Sequence, residues 1–134
     1  MRRLRPLPCS LVVLAALAGC GDPSLGAASG GLPTVSERGT FAVSVATEQP
    51  DFRRGTNAFD VQATDAAGGP ALVTGVVARM PGHDHLATPP RIDCTARSCR
   101  VSDLVLAMPG TWEITVVLAS PGAQDDVQLS AELR

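Results

Sequence analysis

Apolar residues recur at every second position over four stretches of the chain: Phe41, Val43 and Val45; Phe59, Val61 and Ala63; Trp112, Ile114, Val116 and Leu118; and Val127, Leu129, Ala131 and Leu133. A period of two puts each set on one face of a pleated strand, so these are half-buried strands. Turn clusters separate them, at Ala66-Ala67-Gly68-Gly69-Pro70, Pro81-Gly82, Pro89-Pro90 and Ser120-Pro121-Gly122. The spacing predicts about seven antiparallel strands, near 39–47, 57–65, 71–80, 90–94, 99–108, 111–119 and 125–133, packed as an all-β sandwich. No helical period is visible beyond the N-terminal stretch, and no solenoid-like repeat.

That N-terminal stretch sets the expected compartment. Arg2, Arg3 and Arg5 precede an apolar run from Leu11 to Leu17 that is too short to span a bilayer as a helix, which reads as a secretory signal over residues 1–19. It closes on Leu17-Ala18-Gly19-Cys20, which resembles the bacterial lipobox, so Cys20 is the expected lipidation site and first residue of the mature chain. Acyl chains there anchor a domain without a transmembrane helix. Residues 20–38 are rich in Gly, Ala, Ser and Pro and read as a flexible tether, leaving 39–134 as one folded domain. The expected location is the cell envelope, lipid-anchored and facing the periplasm.

Charge then narrows the partners. The chain has 11 Arg and no Lys against 13 acids, and three of the arginines lie in the signal, which leaves 8 basic and 13 acidic groups, a formal charge of −5. A surface of that sign without a basic stripe argues against nucleic acid. Of the 4 cysteines, Cys9 leaves with the signal and Cys20 takes lipid, so Cys94 and Cys99 remain as a pair in an oxidising compartment. A disulfide closing a hairpin is expected, ahead of a Cys-x4-Cys metal site, because the nearest histidine lies in another loop. In the chain-entropy picture so short a loop is worth about 2 kcal/mol.

Met80-Pro81-Gly82-His83-Asp84-His85 and a second Met-Pro-Gly at Met108-Pro109-Gly110 carry the candidate chemistry. Pro at the second and Gly at the third position suit a type II turn, so each methionine ends a strand and each loop starts beside it. If successive strands alternate in direction, both turns leave the same end of the sandwich, together with the loop 48–56. The disulfide hairpin and the incoming tether fall at the opposite end, which places the site away from the anchor. His83 and His85 are one residue apart, so an extended stretch projects both to one side, roughly 6.5 Å between alpha carbons. Thioether with imidazole favours a soft ion such as Cu(I). The competing reading makes Met80 and Met108 core residues and the histidines solvated loop residues.

Gly55-Thr56-Asn57-Ala58-Phe59, Asp65-Ala66-Ala67-Gly68-Gly69-Pro70, the Met-Pro-Gly-His-Asp-His block and Met108-Pro109-Gly110-Thr111-Trp112-Glu113-Ile114 together resemble the YtkA-like domains. These are small exported immunoglobulin-like β domains, related in part to the FixH group and often associated with copper handling. The resemblance covers nearly all of the mature domain. It implies an immunoglobulin-like sandwich and a metal site at Met80, His83, His85 and Met108. The lipid anchor in place of a transmembrane segment departs from the FixH pattern, and the Met/His spacing does not match the copper chaperones of cytochrome oxidase.

No nucleophile elbow, phosphate-binding glycine loop or zinc-protease helix is present, so no enzymatic activity is expected. Asp84 reads as a turn residue, Trp112 as core, and Arg53 and Arg54 as solvated turn residues. The leading expectation is a membrane-anchored periplasmic lipoprotein that binds copper or passes it to a copper-handling partner. The alternative is a structural or interaction module of an envelope complex, in which the histidine loop contacts protein.

Overall fold

The structure, a computed structural model, describes residues 33–134. The expected signal peptide, Cys20 and the tether up to residue 32 lie outside the described residues. The described residues form eight strands: β1 Pro33–Val35, β2 Ala42–Thr47, β3 Gly55–Thr64, β4 Pro70–Arg79, β5 Arg91–Cys94, β6 Cys99–Leu106, β7 Gly110–Ser120 and β8 Ala123–Leu133. All pairings are antiparallel. One layer runs β1-β2-β3-β6-β5 and the other β4-β7-β8. Apart from β1, this is the four-plus-three strand order of a constant-type immunoglobulin sandwich. The layers are joined where Ala63 and Thr64 of β3 pair with Ala71 and Pro70 of β4, which makes the sandwich nearly a barrel.

The inward rows are those the alternation predicts. Phe41, Val43, Val45, Phe59, Val61, Ala63, Trp112, Ile114, Val116, Leu118, Val127, Ala131 and Leu133 are all buried, and Leu129 is packed against them half-buried. Burying a side chain of this size contributes roughly 1.5–3 kcal/mol, so these rows hold the two layers together.

Two strands change phase midway, and each change is a bulge. In β4 the buried set passes from Ala71 and Val73 to Val76 and Ala78, with the register shifting against β7 between Val73 and Gly75. In β6 it passes from Cys99 and Val101 to Leu104 and Leu106, with the shift against β3 between Asn57 and Phe59. The residue that absorbs the second shift is Asp103, at φ 60°. An aspartate adopts this left-handed conformation more readily than most residues. The extra residue in each strand restores an inward row that strict alternation would send to solvent.

One end of the sandwich is closed by a buried carboxylate. Asp125, at the start of β8, accepts from the backbone N–H groups of Arg38 (3.1 Å), Thr40 (3.3 Å) and Asp126 (2.9 Å), and from Nε of Arg38 (3.3 Å). Burial pushes its pKa up, but the hydrogen bonds from the Ser36 hydroxyl, Asp126 and Thr40 outweigh that and hold the carboxyl well below the usual carboxylate range. The N–H of Glu37 also donates to the Asp126 carbonyl at 2.7 Å. The β1–β2 turn is thereby fastened to the last strand.

The Cys94–Cys99 disulfide is present, closing the β5–β6 hairpin where the two residues face each other in the ladder. The Cys99 sulfur accepts the N–H of Val73 at 3.2 Å, beside the point where β4 leaves β3 for the other layer. The cross-link thus seals the fork between the layers as well as a hairpin.

Two expectations about the N-terminal part change. Residues 33–38, assigned by composition to the tether, belong to the fold: β1 pairs with β2, and Ser36 is buried, its hydroxyl accepting the Phe41 N–H at 2.8 Å. The three described residues of β1 are too few to show a period. Pro33 stands beside Ser44, midway along β2, and β1 runs from there toward the Asp125 end. Gly39 and His83 do lie at opposite ends, but β1 is antiparallel to β2 and precedes Gly39, so Gly39 is not the point where the tether enters the domain.

Replacing Asp103 by Val, whose branched side chain resists the left-handed region, is expected to cost about 1–2 kcal/mol in denaturant unfolding, while Gly is tolerated nearly without loss. Equal losses would show that the strain is absent. Asp125 predicts an acid dependence. A carboxyl lowered on folding contributes its full stability above the ordinary aspartate range near pH 4, and that stability is lost as pH falls through and below it. Thermal midpoints measured from pH 7 to pH 2 should fall more steeply for the native protein than for Asp125→Asn, which starts lower.

Candidate metal centre

The loop that follows β4 is built as the Pro-Gly pair dictates. The N–H of His83 donates to the Met80 carbonyl at 3.2 Å, and Gly82, third in the turn, has φ 78°. That is the type II pattern. The chain then doubles back: the N–H of Met80 donates to the His85 carbonyl at 3.2 Å, that of Ala87 to the Ala78 carbonyl at 2.9 Å, and Arg79 and Leu86 form an isolated bridge. The histidine segment is consequently a short hairpin extension of β4, pinned at its base.

His83, Asp84 and His85 are exposed. The two imidazole centroids are 6.2 Å apart with 27° between the ring planes. Two nitrogens at about 2.0 Å on opposite sides of one ion put ring centroids about 6.3 Å apart, so the separation suits an ion held between the rings once they turn to face it. Such turning is inexpensive for exposed side chains.

The second Met-Pro-Gly differs from the first. The Met108 carbonyl accepts the indole N–H of Trp112 at 3.0 Å, and Gly110 sits at φ 122°, outside the type II range. Trp112 is buried in the core, as expected, and in addition holds this loop through its polar edge. Arg54 braces the loop from the other side, its Nε donating to the Ala107 carbonyl at 3.0 Å. The two turns are neighbours, as strand parity requires. A Cβ added to Gly110 would stand 2.6 Å from the terminal methyl of Met80.

The four candidate ligands therefore fall into two environments. Met80 is buried in the core with its methyl over Gly110, and Met108 is half-buried against the core. His83 and His85 stand outside on the same end of the sandwich. Among the described residues no group of three or more His, Cys, Asp or Glu is gathered, so a metal here needs thioether, backbone or exogenous ligands beyond the imidazole pair. Cys94 and Cys99 lie at the opposite end and are committed to each other.

Asn57 is a supporting residue that the sequence reading passed over. Buried beneath the 52–55 loop, it accepts the Arg53 N–H at 2.8 Å and donates to the carbonyls of Arg53 (2.7 Å) and Gly55 (2.9 Å). The available signal is its parity: it shares the inward row of Phe59, Val61 and Ala63, where a polar side chain needs internal partners. No family model, curated protein or solved structure matches the chain.

Gly110→Ala is expected to lose about 2 kcal/mol in chemical denaturation, because the alanine is strained at this φ and also displaces the Met80 methyl. Gly82→Ala, with open space around the added carbon, should lose only about 1 kcal/mol. Equal losses would show that Met80 yields freely.

Proposed function

We propose that the protein is a periplasmic lipoprotein of YtkA-like type, anchored through Cys20, that binds Cu(I) at the end of its sandwich and passes it to a partner. The observation that carries the reading is the pair of exposed imidazoles 6.2 Å apart on a loop fixed by backbone hydrogen bonds. His83 and His85 are the primary ligands. The thioether of Met108, half-buried at the same end, is the soft ligand that favours Cu(I) over harder ions.

Exposure gives the site its character. A metal between two surface imidazoles remains open to ligands from another protein, so it can leave by exchange rather than by release into water. Met80 instead shapes the floor of the site, and taking its sulfur for the metal would draw a buried side chain out of the core. Leu86, 70% exposed directly after His85, offers apolar contact for an approaching partner. It also supports the second reading, an interaction module whose loop contacts protein alone.

In competition with a chromophoric Cu(I) chelator, the purified protein should hold copper, and His83→Ala combined with His85→Ala should weaken it by at least tenfold without lowering thermal stability. Met108→Leu should weaken it less. Protons compete with the metal for imidazole nitrogen, so binding should weaken on acidification. A native protein unable to compete, or a double variant that competes equally well, would leave the interaction reading.

A further inference from the structure

Among the described residues, β8 is a long free edge of the β4-β7-β8 layer; β4, the other edge of that layer, is covered at one end by β3 and the Cys99 sulfur and at the other by the returning segment at Leu86 and Ala87. β8 pairs with β7 over all eleven residues without a register shift, and the hairpin between them has a two-residue loop, Pro121-Gly122. In such a ladder alternate residues direct their N–H and C=O groups to the partner strand and the others direct them away. The away-facing set is Gln124, Asp126, Gln128, Ser130 and Glu132. The carbonyls of Gln124 and Asp126 are indeed taken from that side, by the Arg38 guanidinium and by the N–H of Glu37. Beyond that clasp, Gln128, Ser130 and Glu132 have no backbone partner outside the β7–β8 ladder among the described residues.

Proteins protect exposed edges with short strands, prolines, bulges or inward charges. The edge strand β1 carries Pro33, and the edge strand β5 has only four residues. The open part of β8 has none of these devices except Glu132. Its side chains carry a second signal, because they complement themselves. An antiparallel copy centred on Ser130 sets Ser130 opposite Ser130, Gln128 opposite Glu132 and Asp126 opposite Arg134. Every pair then suits its neighbour: an amide donates to a carboxylate, and an acid meets a guanidinium.

Neighbouring registers are poorer. Centring on Leu129 sets Asp126 against Glu132, and centring on Glu132 sets that carboxylate against its own copy. Centring on Ala131 or Gln128 forms no ion pair. The Ser130 register also places Leu129, the half-buried member of the inward row, opposite Ala131 of the other copy.

We propose that β8 pairs edge to edge with β8 of a second copy of this chain, antiparallel and centred on Ser130. Gln128, Ser130 and Glu132 supply the backbone hydrogen bonds, two for each facing pair. Asp126 and Arg134 close both ends of the ladder. The contact joins two three-stranded layers into one continuous six-stranded sheet and leaves both histidine loops outside it, so it is independent of copper binding.

Cysteine cross-linking of the full chain reads the register directly. Under mild oxidation Ser130→Cys should convert most of the protein to a species of twice the monomer mass on non-reducing gels. Gln128→Cys and Glu132→Cys should each stay monomeric alone and cross-link when the two variants are mixed. Arg134→Asp in the Ser130→Cys background should reduce the product to the level of the unsubstituted chain, and adding Asp126→Arg should restore it. An uncross-linked Ser130→Cys protein, or Gln128→Cys and Glu132→Cys that cross-link alone as well as mixed, would overturn the proposal. Cross-linking that appears only after residues 21–32 are deleted would overturn it too, by showing that the chain covers this edge itself.

Discussion

The carboxylate of Asp125 makes the sandwich a closed object. It gathers the backbone N–H groups of Arg38, Thr40 and Asp126 and so ties the turn before β2 to the first residues of β8, strands at opposite extremes of the chain. A buried charge is tolerable only when its acceptor capacity is filled, and here backbone N–H groups together with the Ser36 and Arg38 side chains fill it. At the same end the disulfide secures the place where β4 crosses between layers. With one end fixed by a carboxylate and a cross-link, the opposite end is free to carry loops.

Those loops are held by weaker means: the type II glycine Gly82, the amide of Asn57, the indole of Trp112 and the packing of one methionine methyl against Gly110. The division matches what the candidate site requires. On the proposed reading, a ligand pair that hands its metal to another protein needs a stable base and accessible side chains, and His83 and His85 are exposed on a loop pinned by backbone hydrogen bonds.

Much of the fold was legible because period two is a strong signal wherever one face is buried. The rows of β2, β3, β7 and β8 follow it without interruption. It was less legible in β4 and β6, where a bulge moves the buried set by one position and simple alternation changes phase. Asp103 was the one local sign of this, and an aspartate within a strand has several ordinary explanations. β1 escaped because its three described residues show no period, and with it the fold begins before the point where the tether was expected to end. Strand parity correctly brought the two Met-Pro-Gly turns together, since it depends only on counting strands. Parity could not say that Met80 points inward while the histidines stand out, because that depends on packing around Gly110, a contact between residues thirty positions apart.

The central claim is that one end of the sandwich offers imidazole and thioether together to a single copper ion. X-ray absorption at the copper edge of the Cu(I)-loaded protein tests it most directly. The account predicts the outer-shell scattering of two imidazoles together with a sulfur scatterer, at about 2.3 Å if its length resembles a zinc–sulfur bond. A first shell of light atoms without imidazole scattering, or an unchanged spectrum when both histidines are replaced, would contradict it.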